Sequence, residues 1–130
     1  MFRADDYVKV SDLAEAYELC QKRSSLVVGG MVGVQMRNCA TVGGSIFARF
    51  GFSDILTCLL ALDAYVELYH EGTILLSEFA ARPVRRDQKD ILVRIIIKKD
   101  GRKAAYTSQR NSRTDFPVIA CCVSNLGNKW

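Results

Sequence analysis

Two pairs of adjacent glycines set the terms for this chain. Gly29-Gly30 follows the apolar run Leu26-Val27-Val28, and Gly43-Gly44 follows Asn38-Cys39-Ala40-Thr41-Val42. With no Cβ in the way, the backbone at such a pair turns sharply and its N–H groups approach a neighbour closely. Consecutive N–H groups in one turn make a concavity that binds anions, phosphate and pyrophosphate above all. A tight turn between two strands is the plainer reading. The glycines alone leave both open.

The rest of the composition narrows the setting. A chain of 130 residues is one domain, or one domain with a fragment of another. Its hydrophobic content of 49% and charged content of 25% are those of a globular protein rather than a disordered one. The net charge of +4 is modest, and Arg82, Arg85 and Arg86 read as a solvated face. Nucleic-acid binding asks for a denser basic stripe with interleaved aromatics, so no nucleic-acid partner is expected. The cysteines are Cys20, Cys39, Cys58, Cys121 and Cys122. An odd number without a Cys-x-x-Cys spacing argues for free thiols in a reducing cytoplasm, not for a disulfide framework or a zinc site. Neither a secretory leader nor an apolar run of membrane-spanning length is evident, so no membrane partner is expected.

Read in order, the chain alternates short strands with short helices. Asp6–Val10 is a strand or strand edge. Ser11 is placed to cap a helix, with Asp12 and Glu15 near its positive end. Leu13, Ala16, Tyr17 and Cys20 form that helix's apolar face, and Lys22 and Arg23 close it. Leu26–Val28 is a short buried strand running into Gly29-Gly30. Phe47, Phe50 and Phe52 lie in a loop; anchoring it in the core is the expected role, and stacking on a ligand ring is the sharper one. Ser53 caps an apolar helix over Asp54–Leu62. Ala64–Tyr69 and Gly72–Leu76 read as a hairpin, and Ser77–Ala80 as a turn of helix ended by Arg82-Pro83. Asp90–Lys98 is a strand. Asp100-Gly101 is a hairpin signal with Lys103–Gln109 as the return strand. Pro117–Ser124 is one more, and it leaves open sheet edges that invite another chain.

No side chain is set up as a nucleophile. His70 stands beside the expected hairpin turn, next to Glu71, and reads as a surface residue. No triad, no metal-ligand spacing, no Walker loop and no Gly-x-Gly-x-x-Gly are found. Catalytic and metal-ligating residues are therefore expected to be none. What remains is recognition of a pyrophosphate by backbone.

The wording around the second glycine pair is more specific than the pair. Gln35-Met36-Arg37-Asn38-Cys39-Ala40-Thr41-Val42-Gly43-Gly44-Ser45-Ile46, with Ser53-Asp54 after it, resembles the signature of the FAD-binding subunit of the molybdenum hydroxylases, the xanthine dehydrogenase and carbon monoxide dehydrogenase family. Leu26–Gly30 resembles that family's first pyrophosphate loop. Asp90-Ile91-Leu92-Val93 and Ser112-Arg113-Thr114-Asp115-Phe116-Pro117 resemble later landmarks, in the family's order.

The resemblance implies an α+β fold with a mixed or antiparallel sheet and a few helices, the remnant of a PCMH-type FAD-binding domain. It implies FAD as cofactor, held by Val27, Val28, Gly29, Gly30, Thr41, Val42, Gly43, Gly44, Ser45, Asp54 and Leu92. Asp54 matches a polar anchor on the cofactor, and Leu92 a leucine beside the isoalloxazine. Thr107 stands where many members carry a lysine. The implied function is that of an oxidoreductase subunit, passing electrons from iron–sulfur centres through FAD to an acceptor such as NAD. Its partners are an iron–sulfur subunit and a molybdopterin subunit, with self-association through open sheet edges. A long segment of the family is absent after Gly30, and the last stretch matches only the start of the family's C-terminal domain. The expected division is 1–30 for the start of a first FAD-binding subdomain, 31–99 for a second, and 100–130 for the start of the C-terminal domain. The alternatives are a non-catalytic α+β unit that no longer holds FAD, and an unrelated nucleotide-binding module.

Overall fold

A computed structural model describes residues 10–21, 40–83, 89–112 and 114–130. The first glycine pair and the strand expected before it, nearly all of the strand expected over Asp6–Val10, the basic residues after the first helix, and Arg85 and Arg86 lie outside the described residues.

Helix α1 (Leu13–Gln21) starts at a reciprocal cap. The Asp12 carboxylate accepts from the Glu15 amide at 2.8 Å, and the Glu15 carboxylate reaches back to the Ser11 amide and hydroxyl, each at 2.8 Å. The capping residue is thus Asp12 and not Ser11. A carboxylate there satisfies the third amide of the helix while Ser11 is held from the other side. Those bonds from Ser11 hold the Glu15 carboxyl below its ordinary value. Cys20 is buried, and the Tyr17 ring lies 4.2 Å from His70 and 5.4 Å from Tyr69. Leu13, expected on the same apolar face, is exposed.

Two short helices follow, α2 (Val42–Phe47) and α3 (Asp54–Ala61). Ser53 caps α3 as its sequence implied, its hydroxyl accepting from the Leu56 amide at 3.3 Å. At the other end Asp63 takes φ +47, and the Ala64 amide returns to the Leu59 carbonyl. This left-handed stop aims the chain directly into β1 (Tyr65–Leu68).

β1 is the middle strand of a three-stranded antiparallel sheet, between β2 (Gly72–Leu75) and β3 (Leu92–Ile96). Tyr65 pairs with Leu75 on one side and Ile96 on the other. Val66 and Leu68 point to the buried face, as a period of two requires. Helix α4 (Leu76–Ala81) follows β2 without a loop, and its Leu76 amide donates to the Ala64 carbonyl at 2.9 Å. Ile46, Leu56, Leu59, Ala64, Val66, Leu68, Leu76 and Phe79 form the core under the three helices α2, α3 and α4.

The last two strands form a separate sheet. β4 (Lys103–Gln109) pairs antiparallel with β5 (Ile119–Asn125), from Lys103 opposite Asn125 to Gln109 opposite Ile119. Asp100-Gly101 is therefore a turn, but not the hairpin between β3 and β4 that its sequence predicts. Gly101 does adopt φ +78. Arg102 decides where the chain goes next. It donates to the Asp100 carboxylate behind it, and to Asp63 and the Ala61 carbonyl at the end of α3, at 2.8 and 3.1 Å. That pulls β4 away from β3 and lays the second sheet against α3, which packs on β5. The architecture is α+β with antiparallel sheets and a few helices.

Candidate functional site

Thr41 sits in extended backbone, at φ −110 and ψ 148, at the start of α2. Its hydroxyl accepts from the Gly44 amide at 3.0 Å, and its carbonyl accepts from the Ser45 amide and hydroxyl, each at 3.1 Å. The sequence suggested a free glycine loop here. The structure makes Val42-Gly43-Gly44-Ser45 the first turn of a helix. A threonine in extended backbone supplies the acceptor that lets a helix begin, even through two glycines. The Thr41 hydroxyl and the Ser45 amide thus serve the helix itself. The Val42 and Gly43 amides are those left without an intrahelical acceptor. Val42 is exposed, while Ile46, one turn on, is fully buried and fixes α2 to the core.

Gly43 faces β3. A Cβ at Gly43 would lie 3.8 Å from Leu92 Cδ2, an ordinary contact distance. Leu92 opens β3 opposite Leu68 and is half-buried. The fold therefore brings together two candidates that lie far apart in sequence. Thr107, on β4, is exposed and pairs with Cys121. Val27, Val28, Gly29 and Gly30 lie outside the described residues.

Asp54 begins α3, where the helix dipole favours a carboxylate. Arg110 donates to its Oδ1 at 2.7 Å, and the Tyr106 hydroxyl donates to the same oxygen. Burial pushes this carboxyl up, but the bonds from Arg110 and Tyr106 outweigh it and hold Asp54 below the ordinary carboxylate value. Asp54 thereby ties α3 to the second sheet. No local signal in the sequence pairs it with residues more than fifty positions away.

A cleft of about 690 Å³ opens beside α1, α2 and α4, lined among others by Tyr17, Phe47, Arg49, Phe79, Arg82 and Asp90. Arg49, at φ +52, sends its guanidinium over the Phe79 ring at 4.6 Å and donates to the Phe79 and Arg82 carbonyls. Burial, and then the nearby Arg82, lower its pKa. Arg49 was not among the sequence candidates; a lone cation within a run of phenylalanines was the available signal. Phe47 packs on Phe79 at 5.7 Å in the core. Phe50 and Phe52 instead stack on each other at 5.1 Å, with Phe116 4.7 Å from Phe52, and all three are exposed.

The Asp90 carboxylate accepts from the His70 and Glu71 amides and so closes the turn between β1 and β2. Among the described residues no three His, Cys, Asp or Glu side chains converge as a metal ion requires. No helix among them is long and apolar enough to cross a membrane.

The chain is similar to the protein YgfM of Escherichia coli strain K12, itself uncharacterized, at 32% identity over 97 residues. The match covers 75% of this chain and 36% of YgfM; YgfM of E. coli O157:H7 matches to the same extent. The chain thus spans about a third of the length of these relatives. A model of the FAD binding domain in molybdopterin dehydrogenase matches residues 27–98, more than half of the chain. That span takes in the Thr41-capped helix, Asp54, Leu92 and the sheet between them, and the chain belongs to this family of FAD-binding domains, with FAD as its cofactor.

Proposed function

We propose that this chain contributes the flavin-holding part of a molybdopterin-dependent dehydrogenase, an oxidoreductase of the xanthine dehydrogenase kind. The observation that carries the reading is the meeting of Gly43 and Leu92 at the open start of α2, inside the span that matches the family. Two amides without intrahelical acceptors, at a position lacking a Cβ, suit a phosphate. An apolar side chain alongside suits a flat ring. The donor set therefore fits FAD at this end. Thr41 positions the amides of Val42, Gly43 and Gly44 by capping the turn, and Ser45 braces the cap. Val27, Val28, Gly29 and Gly30 would complete the holding residues from the first glycine pair. Bound there, FAD supplies the redox chemistry, and the protein binds it, orients it and excludes water.

In this reading the residues that hold FAD would place its redox chemistry between iron–sulfur centres and an acceptor such as NAD. The partners are an iron–sulfur subunit and a molybdopterin subunit, in the cytoplasm. Among the described residues β4 and β5 form a two-stranded sheet, and its edges offer a route to self-association. Residues 1–30, 31–99 and 100–130 correspond to the starts or bodies of two FAD-binding subdomains and a C-terminal domain.

A second reading has an observation in its favour. The Asp54 carboxylate, the expected polar anchor for the cofactor, is already engaged by Arg110 and Tyr106. On that view the chain is an α+β unit that has given up FAD. Titrating FAD into the full chain and into Gly43→Glu separates the two. The added Cβ meets Leu92 only at contact distance, and a carboxylate in a first helical turn is favourable; circular dichroism of the variant checks that its fold is kept. Saturable binding that Gly43→Glu weakens at least tenfold supports a flavin site here. A folded chain that never takes up FAD supports the second reading.

A further inference from the structure

Helix α3 meets the β4–β5 sheet residue by residue. Asp54, Cys58 and Ala61 lie on one face of α3, at spacings that stack side chains on a helix. At one end of this face Tyr106 and Arg110 reach Asp54. At the other, the Ser124 hydroxyl donates to the Ala61 carbonyl at 2.5 Å. Tyr106 stands directly opposite Cys122 across the strand pair. Cys122 and Ser124 share the half-buried face of β5, because side chains alternate along a strand. Cys122 therefore faces Cys58, midway along the helical face, where α3 packs on β5. Both are free and half-buried. Cys121 points to the opposite, exposed face of β5, and Cys20 is buried in α1.

We propose that Cys58 and Cys122 form an oxidisable dithiol whose disulfide clasps the β4–β5 sheet onto α3. The oxidant is a small disulfide of the glutathione class. One cysteine thiolate attacks it, giving a mixed disulfide and releasing one small thiolate. The second cysteine thiolate then displaces the other, forming the Cys58–Cys122 bond. Two electrons leave the protein, the oxidant becomes two thiols, and the two cysteine protons end on them. The facing sulfurs close to the covalent distance of about 2.05 Å. The link closes a loop containing β1 to β4 and so restricts the unfolded chain as well as the interface. Nothing in this depends on FAD.

Burial pushes the Cys58 thiol up, and the facing Cys122 and Asp54 push it further. Exchange therefore quickens as pH rises, since the thiolate is the attacking species. The test treats the full chain with oxidised glutathione at mildly alkaline pH, blocks remaining thiols, and maps peptides by mass spectrometry. The expected product is an intramolecular Cys58–Cys122 link. In the oxidised chain, amide exchange over β4 and β5 slows on the order of tenfold or more, and reductant reverses it. Cys121→Ser keeps both results, whereas Cys58→Ser and Cys122→Ser each lose them. Stable glutathione adducts on both Cys58 and Cys122, a dominant link through Cys121 or between chains, or unchanged exchange in the linked form overturns the proposal.

Discussion

At the scale of single residues, two side chains near the candidate site carry opposite kinds of information. Thr41 acts locally, and its role is accessible from the sequence once a helix is recognised after it. Removing its hydroxyl leaves the Gly44 amide without its acceptor. Thr41→Ala is expected to lose about 1 kcal/mol in a denaturant titration. Asp54 acts at a distance. A first-turn carboxylate after a serine cap was readable, but Tyr106 and Arg110 come from a sheet whose placement no local pattern gives. Its folded pKa is depressed, so the stability it contributes is present above the unfolded carboxylate value of about 3.9 and is lost as pH falls through the folded value. Denaturation midpoints measured from neutral pH down to acid should therefore drop more steeply in the wild-type chain than in Asp54→Asn. Equal slopes would leave Asp54 without this role.

At the scale of elements, the central hairpin and α3 were legible because each is specified by neighbours in sequence. Alternating burial along β1, a Gly at φ +80 opening β2 and the Ser53 cap are all short-range signals. The link from β3 to β4 was not legible. Asp100-Gly101 fixes a turn, but a turn does not choose the partner of the strand that follows. Arg102 makes that choice through Asp63 and the Ala61 carbonyl. Arg102→Ala should leave the three-stranded sheet intact and speed amide exchange in Lys103–Gln109, read by exchange mass spectrometry. Helix α2 depends on a different contact. Six residues, two of them glycines, do not hold a helix by propensity. Ile46, fully buried, holds it. Ile46→Ala is expected to cost about 2–5 kcal/mol in thermal or denaturant unfolding. It should also loosen the turn that presents the Val42 and Gly43 amides.

At the scale of the whole molecule, the glycine pair and its wording identified the family, and the span from 27 to 98 that matches the FAD-binding domain agrees. How the site is assembled was less legible. The sequence put the glycine candidates on loops at strand ends, Asp54 at the start of a helix and Leu92 within a strand. The fold instead builds a capped helix, sets Gly43 beside Leu92 across the core, and binds Asp54 to a second sheet through Arg110 and Tyr106. These are tertiary facts, set by packing of Ile46 and by long-range ion pairs. They make the candidate site a property of two sheets held in register by α3. The direct test is equilibrium binding of FAD to the full chain, followed by flavin fluorescence and by the flavin retained after desalting. The account predicts saturable, stoichiometric uptake that Gly43→Glu weakens at least tenfold while the fold persists. Absence of uptake by the folded chain, or equal uptake by the variant, would contradict it.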